Sequence, residues 1–233
     1  GLSPTVKFPR ILGIECVGLI EQTTDPKRLP KGQKVVSIMG EMGRAFDGSY
    51  AEYVLLPNEQ IYPVETRLDW ETLATIPETY YTAYGSLLNL RLQSGESVLV
   101  RGGSSGVGIA FMKLVRALFP DIRVTGTTRR SQKADQLISA GYDDVVFDQQ
   151  DHLKTELKFD KIFELIGPAT VKDSFKHTNP GGIVCSTGEL GNKWYLEKFD
   201  PIMDIAPNSY LTSFYSGNVD QQKLNGLLRL ISE

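Results

Sequence analysis

Residues 98–110 read Val-Leu-Val-Arg-Gly-Gly-Ser-Ser-Gly-Val-Gly-Ile-Ala, an apolar strand running straight into glycines and the glycines straight into an amphipathic helix. No other feature of the chain constrains its fold as strongly. Bare backbone N–H groups at a helix N-terminus suit a phosphate or pyrophosphate, provided that no side chain blocks its approach. Gly102 or Gly103 supplies the tight turn, Gly106 lets the backbone close on phosphate, and Gly108 permits close helix–strand packing. Ser104 and Ser105 add hydroxyl donors, so Gly102, Gly103, Ser104, Ser105, Gly106, Val107 and Gly108 form a candidate dinucleotide-binding turn. The spacing departs from G-x-G-x-x-G, which leaves a flexible βα turn in another doubly wound protein as the alternative.

The surrounding pattern fits that junction. Strands are expected at residues 97–101, 122–127, 144–147, 161–165, 183–186 and 210–215. Helices are expected at 105–118, 131–140, 169–177 and 219–231, with a short helical stretch between the third and fourth strands. Strands alternating with helices of this length imply βαβ units on a parallel sheet. Six such strands match a doubly wound, dinucleotide-binding α/β sheet of the Rossmann type. Upstream the pattern changes to β-rich segments at 11–23, 34–39 and 50–56, with a loop at 40–49 and no helix. Asp69 is placed to cap a helix running to residue 75, and residues 79–90 have helical apolar spacing. Two domains are therefore expected, at 1–62 and 63–233.

Composition removes several function classes. With 25 basic and 28 acidic side chains in 233 residues, the net charge is −3, which argues against a nucleic-acid partner bound by bulk electrostatics. No apolar run reaches the ~18 residues of a membrane span. Cys16 and Cys185 are too few for a disulfide scaffold or a cysteine-rich zinc site, and they suit a reducing cytoplasm.

The end of the second strand discriminates between nicotinamide cofactors. An NAD-type site places an acidic residue about 20 residues past the glycine turn, where it holds the ribose 2′-hydroxyl. Here the strand ends in Gly-Thr-Thr-Arg-Arg-Ser-Gln-Lys (126–133), and the first carboxylate is Asp135. Thr128, Arg129, Arg130 and Lys133 instead offer a hydroxyl and three cations to a 2′-phosphate, which points to NADP(H). A solvated basic turn is the alternative.

Five ordered segments resemble the medium-chain dehydrogenase/reductase superfamily, in its zinc-free, NADPH:quinone oxidoreductase-like branch. Gly-Ile-Glu-Cys-Val-Gly (13–18) is similar to its G-H-E-x-x-G segment, and Asp-Gly-Ser-Tyr-Ala-Glu-Tyr-Val (47–54) to its G-(S/G)-(F/Y)-A-E stretch. Residues 77–87 resemble the P-x-x-x-x-T-A-Y-x-x-L helix, 97–110 the cofactor turn, and 180–188 the strand that ends beside the nicotinamide. The resemblance implies a partial GroES-like catalytic domain at 1–62 ahead of the Rossmann domain. It also implies that Thr82, Leu165, Ile166 and Gly188 lie near the nicotinamide, although an ordinary helical threonine and simple sheet-end packing explain these residues as well. Zinc-dependent relatives carry ligands where this chain has Ile14 and Glu78, and neither the structural-zinc loop nor those ligands are present, so no metal is expected. Family members extend further at both ends, so the sequence reads as a fragment.

The function implied is an oxidoreductase passing hydride from NADPH to a quinone, enone or related conjugated carbonyl, with no catalytic residue assigned and a homodimer as the family's usual assembly. The alternative is a non-catalytic NADPH-binding redox sensor or structural protein. Glu15 reads as a structural carboxylate. His152 and His177 are placed in or near helices, and Tyr80 and Tyr81 in a helix, where they either pack or line a substrate cleft.

Overall fold

A computed structural model describes residues 4–232, which fall into two compact units. Of the described residues, the first comprises 4–81 and 216–232, the second Thr82–Tyr215.

The first unit opens with β1 (Glu15–Leu19), β2 (Lys34–Ile38) and β3 (Tyr62–Pro63), an antiparallel sheet in the order β1-β2-β3. Ile20, Leu29 and Val35 form its buried cluster, with Ile61 packed against them. The strand expected at 50–56 does not form: this stretch is irregular, and Tyr50, Tyr53 and Leu55 are all more than three-quarters exposed. Its apolar and aromatic side chains meet no partner strand among the described residues, and a strand-like composition alone does not hold a strand. Pro57 then leads into a single 3-10 turn, Asn58–Gln60, in a region expected to have no helix. Asp69 caps α1 (Trp70–Ala74) as expected, its carboxylate accepting from the Thr72 N–H at 2.7 Å. A π-helical turn, Ile76–Tyr80, runs into α2 (Tyr81–Leu90).

In the second unit the chain passes through β4 (Ser97–Arg101), α3 (Gly106–Leu118), β5 (Arg123–Thr128), α4 (Ala134–Ala140) and β6 (Asp144–Gln149). It continues through β7 (His152–Leu153), β8 (Phe159–Glu164), α5 (Val171–Lys176), β9 (Thr178–Ser186), α6 (Pro201–Asp204) and β10 (Tyr210–Ser213). The final helix, α7 (Gln221–Ser232), returns to the first unit and buries Leu224, Leu227 and Leu228 along one face.

The sheet order is β10-β9-β8-β4-β5-β6-β7. Six strands are parallel, and in chain order they follow the doubly wound 3-2-1-4-5-6 pattern with its switch point between β4 and β8. Val98, Leu99 and Val100 are wholly buried, which is why β4 reads as a continuous apolar run rather than an alternating one. On one face Leu99, Ile162 and Val184 pack with Val171 and Phe175, while Phe111 of α3 stacks on Phe163 at a ring-centroid distance of 4.3 Å.

The seventh strand corrects an expectation. Residues after β6 do not form a helical stretch; Gln150 and Asp151 both take positive φ (53° and 63°), and β7 folds back antiparallel on β6. Two consecutive left-handed residues make a type I′ hairpin turn, whose twist matches that of the strands it joins. His152 therefore sits in a strand rather than in a helix, with its Nδ1 3.0 Å from Asp173 of the neighbouring α5. His177 does follow α5, at its C-cap. The helix expected over 131–140 starts as a 3-10 turn, Ser131–Lys133.

Carboxylates tie the strand ends. Asp160 accepts from the Ser97 N–H and hydroxyl and from the Asn179 amide, each at 2.8 Å. Burial raises the Asp160 carboxyl, but these donors and Lys161 outweigh it and hold the group below the ordinary range. Asp143 is held low in the same way by Arg116 and the Val124 N–H, also against a burial cost. A carboxylate with a depressed folded pKa stabilises the fold above its unfolded value, and the contribution is lost as pH falls through the folded value. Glu15 and Glu164 are raised by burial and act in the opposite sense, since protonating them as pH falls relieves the cost of their buried charge. They do not cancel the loss at the depressed carboxylates. The urea midpoint is therefore expected to fall below about pH 4, with a shallower fall in Asp160→Asn. A midpoint unchanged between pH 5 and pH 3 would contradict this assignment.

Candidate functional site

The glycine turn lies at the C-terminal end of β4, beside the switch point of the sheet. Gly102 takes φ of +93°, a conformation that side-chain-bearing residues rarely adopt. Its N–H donates to the Thr127 hydroxyl at 2.9 Å, which pins the turn to β5. Ser105 is the N-cap of α3: its hydroxyl accepts from the Gly108 N–H at 3.0 Å and donates to the Gly102 carbonyl at 2.8 Å. The expectation of a free Ser105 donor is thereby corrected, because capping the helix uses its proton. Ser104 is exposed. Among the described residues no acceptor faces the N–H groups of Gly106 and Val107. Two open donors at the start of a 13-residue helix, with Gly106 exposed beside them, have the polarity that suits an anion.

The β8 end comes up against this turn. The Leu165 N–H donates to the Arg101 carbonyl at 3.0 Å, and a side chain placed on Gly102 would touch Leu165 and Ile166. Leu165 is buried and Ile166 half-buried. Gly188 follows β9, and any side chain there would collide with the Leu165 backbone. Thr82 is buried in α2; its carbonyl accepts from the Ser86 hydroxyl at 2.8 Å, and Ser86 lies 3.0 Å from the Thr187 hydroxyl. These contacts bring the turn, residues 165 and 166, Gly188 and Thr82 to one end of the sheet.

At the end of β5, Thr128 is buried and its hydroxyl bonds the Arg130 backbone, so it shapes the turn. Arg129 and Arg130 are exposed, and neither they nor Lys133 make an ion pair among the described residues. Lys133 and Ser104 line one small cavity of about 140 Å³ with Ile109, Gln136 and Leu137. The basic turn and the glycine turn are thus neighbours in space.

Sequence reasoning missed the group beneath the site. Arg101, the last residue of β4, is wholly buried. Its guanidinium donates to both Asp148 oxygens at 2.7 and 3.0 Å, and to the Thr170 and Asp151 carbonyls and the Ser174 hydroxyl at 3.0 Å each. It also stands 3.0 Å from Asp173 and 3.9 Å from Glu164. Burial lowers the Arg101 pKa, but Asp148, Glu164 and Asp173 raise it further, so it stays charged. Burial pushes the Glu164 carboxyl up, against Arg101 and Ser174. Glu164 accepts from the N–H groups of Ile166 and Gly167 at 2.8 and 3.2 Å, fixing the backbone beside the turn. A readable signal was present: Arg101, Asp148 and Glu164 each place a charge at or near the end of a strand with a buried apolar interior.

In the first unit, Glu15 accepts from the Glu78 N–H at 2.8 Å, and Glu78 accepts from the Ser216 hydroxyl at 2.7 Å. Among the described residues no group of three or more His, Cys, Asp or Glu side chains is arranged to hold a metal. Burial, then Glu15, pushes the Cys16 thiol up to about 11, and burial also raises Cys185, which keeps both thiols protonated near neutral pH. Tyr81 is buried, and its hydroxyl accepts from the Asp220 N–H at 2.7 Å. No helix among the described residues is long and apolar enough to cross a membrane.

Comparison with known proteins agrees with this architecture. The alcohol dehydrogenase GroES-like domain family matches residues 1–66. The chain is 28% identical over 194 residues to the quinone oxidoreductase of Lama guanicoe and 29% over 193 to that of Homo sapiens, covering 79% of this chain in each case. It spans 57% and 56% of those relatives. It is also 31% identical over 199 residues to squalestatin tetraketide synthase of a Phoma species, covering 84% of this chain but 7% of the synthase. The solved structure of E. coli K-12 YhdH with bound NADPH superposes with a TM-score of 0.85 at 21% identity, covering 99% of this chain and 73% of that one. Bacillus subtilis YhfP with NAD bound gives 0.80 at 22% identity, covering 97% and 70%.

A doubly wound α/β unit with a glycine turn at its switch point, preceded by a GroES-like segment, defines the class of alcohol dehydrogenase-like oxidoreductase folds. The chain is similar to the medium-chain dehydrogenase/reductase superfamily, quinone oxidoreductase-like, through its GroES-like match and its quinone oxidoreductase relatives.

Proposed function

We propose that this protein is a zinc-independent oxidoreductase that transfers a hydride from NADPH to a quinone, an enone or a related conjugated carbonyl. The observation that carries the cofactor half is the pairing of N–H groups at Gly106 and Val107 that are open among the described residues with three cations, Arg129, Arg130 and Lys133, that make no ion pair among those residues, one of which shares a cavity with Ser104. The Gly106–Val107 donors would take the pyrophosphate, the cations the 2′-phosphate, and the 165–166 backbone with Thr82 and Gly188 the nicotinamide end. The hydride comes from C4 of the reduced nicotinamide when NADPH is bound. With Ile14 and Glu78 at the positions of zinc ligands, stabilising the developing enolate falls to hydroxyl or backbone donors. The two free thiols accord with a reducing cytoplasm, and a homodimer accords with the family.

The substrate half rests on the names of relatives, quinone oxidoreductases and a tetraketide synthase, so the test uses a panel of quinones, enones and an enoyl thioester. NADPH is expected to bind at least tenfold tighter than NADH. A charge-assisted hydrogen bond contributes about 1.5–3 kcal/mol, so Arg130→Ala should cost NADPH roughly tenfold and leave NADH nearly unchanged. Equal affinities for the two cofactors in the parent protein would remove the 2′-phosphate assignment. Tight NADPH binding without turnover of any member of the panel would favour the non-catalytic sensor.

A further inference from the structure

Tyr142 has no role in the reading above, yet it touches the turn at two points. It follows the α4 C-cap Gly141 and lies 3% exposed under β5. Its ring fits because residue 126 is glycine: a Cβ there would stand 2.9–3.1 Å from three ring carbons. Its hydroxyl lies 3.0 Å from the Gly103 carbonyl and 2.9 Å from the Gly108 carbonyl. One phenolic proton is thus shared between the turn and the first turn of α3. Burial raises the hydroxyl's pKa far enough that it remains a donor throughout the working pH range.

We propose that Tyr142 is a positioning residue for dinucleotide binding, clamping the glycine turn from behind so that its N–H groups face the pyrophosphate. The inference rests on the NADPH reading above. In a trans peptide the C=O and the following N–H point in opposite directions, so pinning the Gly103 carbonyl turns the Ser104 N–H away from Tyr142. Pinning the Gly108 carbonyl at the same time fixes the start of α3, which carries the open donors of Gly106 and Val107. Gly126 and Tyr142 act together: the missing side chain at one position makes room for the ring at the other.

The test compares three probes on the parent protein, Tyr142→Phe and Gly126→Ala. NADPH and ADP-ribose carry a pyrophosphate; 2′-AMP carries the 2′-phosphate without one. Removing the hydroxyl should weaken NADPH and ADP-ribose by about fivefold or more, while 2′-AMP changes by less than twofold. Gly126→Ala keeps the hydroxyl but presses on the ring, and it should reproduce the same pattern. This second variant reads the clamp independently of whether Tyr142→Phe folds. Thermal unfolding accompanies both variants. Unchanged NADPH affinity in both variants, or equal losses for all three probes, would overturn the clamp while leaving the NADPH reading in place. Failure of the parent protein to bind NADPH would overturn the reading and the clamp with it.

Discussion

Replacing Arg101 by methionine is expected to destabilise the protein by about 3–5 kcal/mol, the cost of breaking a buried ion pair from one side. That is a large fraction of the roughly 5–15 kcal/mol that keeps a domain folded. Methionine approximates the apolar stem, so the loss comes from the charge and its donors. Asp148 would lose two hydrogen bonds, and the Thr170 and Asp151 carbonyls and the Ser174 hydroxyl one each. Asp148 and Glu164 would be left with no cationic partner, and both are nearly or wholly buried. Asp173 keeps His152 at 3.0 Å and Lys176 at 3.8 Å, so its share of the loss is smaller. Because Asp148 makes the closest contact, Arg101→Met combined with Asp148→Asn should recover part of the loss. Chemical denaturation of the single and double variants measures both effects. A single variant within about 1 kcal/mol of the parent would show that the network is not what holds these strand ends together.

The sequence carried more of the dinucleotide unit than of anything else, for a physical reason. A parallel strand buried on both faces must be apolar along its length, and a turn approached closely by backbone must be glycine, so β4 and residues 102–108 admit few alternatives. The six parallel strands follow from the same rule. The failures lie where tertiary partners decide. The stretch at 50–56 is as apolar and aromatic as a strand but finds no neighbour to pair with among the described residues, and nothing local records that. The β6–β7 turn places Gln150 and Asp151 in a left-handed conformation without a glycine to announce it. The Asp151 carbonyl accepts from Arg101, and this contact joins residues 50 positions apart. Ser105 was legible as part of the turn but not as its cap, because a serine before a helix offers its hydroxyl equally well to a ligand or to its own backbone.

In the proposed cofactor turn, Gly108 would join binding to packing. A Cβ there would stand 2.8 Å from the Gly102 carbonyl oxygen and 3.1 Å from both the Cα and the carbonyl oxygen of Gly103. All three are backbone atoms, so no side chain can swing aside, and the turn itself must move. Gly102 cannot yield easily, held by its N–H on Thr127 and its carbonyl under the Ser105 N–H and hydroxyl. The helix start yields instead, breaking the Gly108-to-Ser105 cap and moving the Gly106 and Val107 donors off the phosphate position. Gly108→Ala is therefore expected to weaken NADPH about 100-fold, since two misdirected charge-assisted hydrogen bonds are worth a few kcal/mol. Overpacking should cost stability only about 1–3 kcal/mol, so the variant is expected to remain folded. Gly95→Ala is the matched control: it strains a positive φ of 80° with nothing within 4 Å of the new methyl, in the same unit but away from the turn. It should lose some stability and no cofactor affinity. Isothermal titration with NADPH, run beside thermal unfolding, separates the two variants. Near-parental affinity in Gly108→Ala would mean that the turn adapts to the methyl, and that the open donors at the start of α3 do not hold the pyrophosphate.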